Sequence, residues 1–142
     1  YAKGHYYIYK KKNPFKHLIY PLPNSNGHGI HAGMDIENNL RFGPNAKWVD
    51  SIEYSFDENT LDEFCNSIKS YWINFDPSCL TPDYTGIRSK TVAEGEGSQD
   101  FEILDASDHG LENLIHLQGI DSPGLTSSLS IATEVISKLG IH

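Results

Sequence analysis

The opening of the chain is a run of aromatic and apolar positions. Gly4-His5-Tyr6-Tyr7-Ile8-Tyr9 is rich in aromatics and predicts extended backbone, broken at Asn13-Pro14. His17-Leu18-Ile19-Tyr20 reads as a second strand, stopped by Pro21 and Pro23, and Asn24-Ser25-Asn26-Gly27 is a turn signal. Residues 30–36 read as a third strand. Asn38-Asn39 then predicts a two-residue turn, with Leu40-Arg41-Phe42 pairing back as a hairpin, because Asn tolerates the positive φ such turns need.

The period changes after residue 60. Leu61, Phe64, Cys65, Ile68, Tyr71, Trp72 and Phe75 recur at steps of three and four, which predicts a helix over 60–75 with one apolar face. Thr60 and Glu63 fit a capping box, and Pro77 ends the segment. Residues 85–90 read as extended, Gly95-Glu96-Gly97-Ser98 as a loop, and 101–104 and 114–117 as short strands. Leu125, Leu129, Ala132, Ile136 and Leu139 predict a closing helix with a buried stripe. Ser122 is placed to cap it, Pro123 to open it and Gly140 to end it. Strands, a long helix, more strands and a final helix imply an α+β fold with a mixed, mainly antiparallel sheet and flanking helices.

Composition narrows the possibilities. The length of 142 residues suits one domain or a piece of a larger one. With 38% hydrophobic and 21% charged residues, a packed core is expected and wholesale disorder is not. No run of about 18 apolar residues exists to span a membrane. Tyr1 begins no leader-like pattern, so a cytoplasmic location is expected, with the inner-membrane surface as the alternative; the natural chain can start upstream.

The net charge is −8, unevenly spread. The first 20 residues hold five lysines and no acid; the other 122 hold six bases against nineteen acids, a net of −13. An acidic body argues against nucleic acid as a partner, since phosphate contacts need clustered cations. Lys10-Lys11-Lys12 reads as a solvated turn. Cys65 and Cys79 lack the spacing of a zinc ribbon and are expected as free thiols, with Cys65 a small hydrophobe on the helix face.

Several segments carry candidate chemistry. Gly27-His28-Gly29-Ile30-His31-Ala32-Gly33 fails as a dinucleotide fingerprint: its third glycine is one residue late and it enters a strand, not a helix. Gly95-Glu96-Gly97 puts an acid where an anion would sit, so no ADP-binding βαβ unit is expected in this chain. His28, His31 and Asp35 suggest a metal only superficially, because an odd step on a strand points His28 and His31 to opposite faces; no metal is expected. His31 alone sits in a glycine-flanked strand that a ligand can approach, with a structural histidine as the plain alternative. Arg88 is suited to gripping a carboxylate by two parallel hydrogen bonds, against an ordinary surface salt bridge. Lys90, two residues on, would share its strand face and help hold a dicarboxylate. Gly119-Ile120-Asp121-Ser122-Pro123-Gly124-Leu125-Thr126 offers approachable N–H groups and a helix dipole as an anion seat, against simple capping.

Taken together, the segments resemble one family. Lys3-Gly4-His5-Tyr6-Tyr7, Ile19-Tyr20-Pro21-Leu22-Pro23, Gly29-Ile30-His31-Ala32-Gly33-Met34-Asp35, Arg41-Phe42-Gly43-Pro44-Asn45-Ala46-Lys47-Trp48-Val49-Asp50, Tyr84-Thr85-Gly86-Ile87-Arg88-Ser89-Lys90 and residues 119–126 follow in family order. The set resembles the C-terminal part of FAD-dependent oxidoreductases of the D-amino-acid-oxidase superfamily, in particular the L-2-hydroxyglutarate dehydrogenase type.

The resemblance implies that residues 1–107 are part of a substrate-binding domain and 108–142 the C-terminal segment of the FAD-binding domain. It implies that the N-terminal dinucleotide-binding portion of the same protein lies outside this chain, which alone would be inactive. The implied reaction is oxidation of a small 2-hydroxy acid to the 2-oxo acid by hydride transfer to FAD, with an electron acceptor that the sequence does not identify. His31 would take the hydroxyl proton, a role its pKa range suits. Arg88, with Lys90 and Tyr84, would hold the substrate. Gly119, Ser122, Pro123, Gly124, Leu125 and Thr126 would meet the flavin edge, where the helix dipole opposes its negative charge. Ser89, where relatives usually have proline, and Asp121, where glutamate is commoner, depart from the pattern. Two alternatives share the fold: a non-catalytic small domain without flavin, and a sister flavoenzyme acting on amino acids or glycerol phosphate.

Overall fold

The computed structural model describes residues 1–22, 29–97 and 99–141. The expected turn at 24–27, His28 with its place in the glycine segment and the metal reading, and Ser98 lie outside the described residues. The chain forms two compact units, Tyr1–Arg88 and Ser89–His142.

The first unit is built on strand β1, Ala2–Tyr9, whose odd residues Lys3, His5, Tyr7 and Tyr9 are buried. Strands β2 (Ala32–Met34), β3 (Leu40–Phe42), β4 (Lys47–Trp48) and β5 (Leu80–Arg88) complete an antiparallel five-stranded sheet. β3 and β4 pair with successive parts of β1, and β5 pairs with nearly all of it. β2 extends the sheet beyond β3. Apolar residues stand on both faces, Tyr6 and Ile8 opposite Tyr7 and Tyr9, so it is the aromatic and β-branched content that makes β1 legible in the sequence.

Helix α1, Leu61–Lys69, lies against the buried face through Phe64, Cys65 and Ile68. The aromatics form much of that core. The Tyr7 and Phe64 ring centroids are 4.6 Å apart, Tyr9 and Trp72 are 5.0 Å apart, and the Tyr7 hydroxyl meets Thr60 Oγ1 at 3.0 Å.

Four expectations change here. The helix over 60–75 stops at Lys69, because tight bonds to the Ser67 and Ile68 carbonyls turn the chain and bring Trp72 and Phe75 around Tyr9. Apolar spacing survives a turn that helical backbone does not. The Thr60–Glu63 capping box does not form: Asp57 caps a 3-10 turn at Glu58–Thr60, Thr60 bonds back to the Asp57 carbonyl, and Glu63 accepts from Asn45. The strand over 17–20 reduces to a single bridge between Ile19 and Ala32. The β2–β3 connection has five residues, 35–39, rather than two. Asp35 accepts the N–H groups of Glu37 and Asn39, and Asn38 alone takes the positive φ of 64°.

The second unit is smaller. Strands β6 (Glu102–Leu104) and β7 (His116–Gln118) pair antiparallel. The short helix α2, Ala106–His109, carries a capping box between Asp105 and Asp108. Helix α3, Ser128–Lys138, ends at Gly140 with φ of 66°, as the sequence predicts. Its start and its stripe do not match expectation. Ser122 caps nothing, since the helix begins six residues later. Leu125, Leu129, Ile136 and Leu139 are not buried; Leu125 is 90% and Leu129 83% exposed. The second unit by itself offers no core large enough to cover that face. Both cysteines are free, with Cys65 buried.

Candidate functional site

The face of the sheet opposite α1 collects most of the expected chemistry. Ala32 points into the core, so alternation puts its neighbours His31 and Gly33 on the other face. The His31 ring meets Tyr20 edge-on, 4.4 Å between centroids, and its carbonyl accepts the Gly43 N–H at 3.0 Å. Arg41 pairs across from Gly33 on one side and Ile8 on the other. On β5, Tyr84 lies opposite Tyr6, Gly86 opposite Gly4 and Arg88 opposite Ala2. Directly opposed residues share a face. His31, Arg41, Tyr84 and Arg88 are therefore brought to the same side.

The surroundings of these groups follow from packing. The Tyr6 and Tyr84 rings stack at 4.4 Å with 13° between planes. Burial pushes both phenols above the usual range, opposed at Tyr6 by the charge of Arg88 and at Tyr84 by that of Arg41. Arg41 donates from Nε to Asp83 at 2.6 Å and from Nη1 to Asp35 at 3.0 Å. At Gly33 and Gly86 an added Cβ would meet nothing within 4 Å, so the floor between the larger side chains is open. Gly43 is different: its φ is 139°, and a Cβ there would lie 2.6 Å from the His5 carbonyl. That part of the family-like motif serves close backbone approach.

β5 ends at Arg88, and Lys90 belongs to the second unit, where it pairs with Asp121 at 2.6 Å. Strand alternation cannot carry past the end of the strand.

In the second unit, Gly119 has φ of 63° and opens the turn that holds the expected anion seat. The Gly124 N–H donates to the Asp121 carbonyl and that of Ser127 to Pro123, so residues 123–127 make an irregular turn before α3. Among the described residues, the N–H groups of Leu125 and Thr126 have no acceptor within the chain, and both residues are exposed. Two adjacent open donors beside a helix start suit an oxygen-rich ring edge, so this segment fits a flavin.

Tyr6, Arg41 and Asp83 are residues of this face that reading along the sequence missed, and Asp35, weighed there only beside a metal, pairs with Arg41. Pro82-Asp83 within a strand was the available signal, since proline in a sheet marks an edge or a bulge. Among the described residues no cluster of three or more His, Cys, Asp or Glu gathers as a metal site, and no helix is long and apolar enough to cross a membrane.

These features belong to one class of protein. The family model for FAD dependent oxidoreductases matches residues 1–137, and the chain belongs to that family, whose cofactor is FAD. It is 33% identical to the mitochondrial L-2-hydroxyglutarate dehydrogenase of Arabidopsis thaliana over 97% of its own length and 31% of the relative's. It is 30% identical to the glycerol 3-phosphate oxidase of Mycoplasma genitalium over 98% of its length and 36% of the relative's. A glycerol 3-phosphate dehydrogenase of Caloramator mitchellensis is also 30% identical, over 96% and 28%. The chain thus spans about a third of the length of these curated relatives.

Proposed function

We propose that this chain forms the substrate side of a longer FAD-dependent enzyme that oxidises a small 2-hydroxy acid, of the 2-hydroxyglutarate kind, to the 2-oxo acid. The observation that carries this reading is the gathering of His31, Tyr84 and Arg88 on one open face of the sheet. Oxidising a hydroxy acid requires a cation for the carboxylate, a group to take the hydroxyl proton, and a two-electron acceptor. FAD, when bound, supplies the acceptor. Arg88 pairs with the carboxylate and fixes the substrate's orientation. An imidazole nitrogen of His31 takes the hydroxyl proton. Tyr84, on the same face, offers its hydroxyl.

Gly119 and residues 122–126 approach the flavin, with the Leu125 and Thr126 N–H groups as donors. Residues 108–142 return to the FAD-binding part of the whole protein. The exposed Leu129 and Ile136 of α3 support that assignment, because clustered apolar side chains on one helix side are normally covered. The flavin-binding portion of the same protein is therefore the partner of this chain, and the chain alone is inactive.

Arg88→Ala in the full-length protein tests the reading. A lost charge-assisted pair of about 1.5–3 kcal/mol raises KM for the acid roughly 10- to 100-fold, with kcat changed far less. Unchanged KM and kcat would remove Arg88 from the site. The similarity to glycerol 3-phosphate oxidase and dehydrogenase favours a second reading, in which the same face takes a phosphorylated alcohol.

A further inference from the structure

We propose that Arg41 and Asp83 are positioning residues, which decide that Tyr84 and Arg88 stand on the open face of the sheet rather than in its core. The proposal rests on the reading of that face as a substrate site. It follows from parity along β5. Leu80 and Pro82 pair with Tyr9 and Tyr7, whose side chains point into the core. Tyr84, Gly86 and Arg88 pair with Tyr6, Gly4 and Ala2, on the opposite face. Even-numbered residues thus change sides within one strand. A strand with period two does this only by inserting an unopposed residue, and here that residue is Asp83.

An unopposed residue interrupts the ladder and needs other support. Pro82 beside it brings no N–H to the pairing. Arg41 supplies the support from two strands away, with Nε 2.6 Å from one Asp83 carboxylate oxygen. Nη1 reaches Asp35 at 3.0 Å, and Asp35 is itself fixed by the N–H groups of Glu37 and Asn39. The Arg41 side chain is 32% exposed and those of Asp83 and Asp35 are 22% and 11%, so the network is partly shielded from water. Its Cζ lies over the Tyr84 ring, 6.0 Å from the centroid. A planar guanidinium can hold two carboxylates in defined directions, and a lysine ammonium cannot. The β2–β3 turn, the bulge and the Tyr84 ring are therefore tied to one cation.

The test uses the full-length, FAD-loaded protein and the variants Arg41→Met, Arg41→Lys and Asp83→Asn. Two quantities are read: KM and kcat for L-2-hydroxyglutarate with an artificial electron acceptor, and the alkaline ultraviolet titration of Tyr84, isolated by difference from Tyr84→Phe. Arg41→Met and Asp83→Asn should raise KM about tenfold with kcat within about twofold. Arg41→Met should also move Tyr84 ionisation to higher pH, because a cation that favours the phenolate is gone. Arg41→Lys should restore the titration but not KM. Wild-type KM in both Arg41→Met and the near-isosteric Asp83→Asn would overturn the proposal. If the unaltered protein turns over no 2-hydroxy acid, the substrate reading fails by itself. The titration then decides, and a Tyr84 unmoved in Arg41→Met overturns the positioning role.

Discussion

His5 sits 1% exposed beneath the sheet, with Nδ1 3.0 Å from Asn45 Oδ1, its ring against Phe56, and Nε2 without a partner among the described residues. Burial lowers its pKa below 6.5, more than the Asn45 bond raises it, and the charges of Lys3 and Lys47 push the same way. The unfolded chain therefore takes a proton near pH 6.5 that the folded chain refuses. Stability is full above that pH and falls as pH drops through it. Urea unfolding of the chain between about pH 7.5 and 5.5 should show this slope, and His5→Phe should flatten it. A slope unchanged in the variant would assign it elsewhere. Asp57 acts in a lower window. The Lys47 ammonium at 2.9 Å and the Asn59 N–H hold its carboxyl down at about 2 from 3.8. Its contribution is present above the unfolded value and lost as pH falls through that interval. Asp57→Asn should weaken the acid dependence there, as read by unfolding midpoints, and an identical profile would count against the pair.

Elements differ in how much of them the sequence exposed. β1 is legible through its aromatic and β-branched residues, and the β2–β3 hairpin through its Asn-rich connection. The core of α1 is legible at period 3.6. Phe64→Ala, at 0% exposure, should cost about 3–5 kcal/mol, and Leu61→Ala, 38% exposed on the same helix, much less. Equal losses in denaturant titration would contradict the packing described. The end of α1 was not legible, because Trp72 and Phe75 keep helical spacing while answering to Tyr9. The bulge at Asp83 hid the site's geometry more deeply. Simple alternation from Leu80 buries Tyr84 and Arg88. His31 and Arg88 could be singled out as chemistry in the sequence, but their common face depends on one residue left unopposed in the ladder. Nor can alternation reach Lys90, because β5 ends at Arg88.

At the scale of the whole molecule, two properties stand out. The charge is divided, with lysines in the first 20 residues and a net of −13 beyond. The apolar residues at and before α3 are open: Leu125, Leu129 and Ile136 are 90%, 83% and 48% exposed. The isolated chain should therefore self-associate with rising concentration, seen by sedimentation, and Leu129→Glu should suppress this. A monomer at all concentrations, with the variant indistinguishable, would mean that α3 needs no cover. Family membership leaves the substrate to be settled between hydroxy acid and phosphorylated alcohol. The most direct measurement is turnover by the full-length, FAD-loaded protein with an artificial electron acceptor, comparing L-2-hydroxyglutarate, glycerol 3-phosphate and amino acids. The account predicts turnover of L-2-hydroxyglutarate well above the others, lost at low substrate in Arg88→Ala. Turnover of glycerol 3-phosphate with none of the hydroxy acid would contradict it.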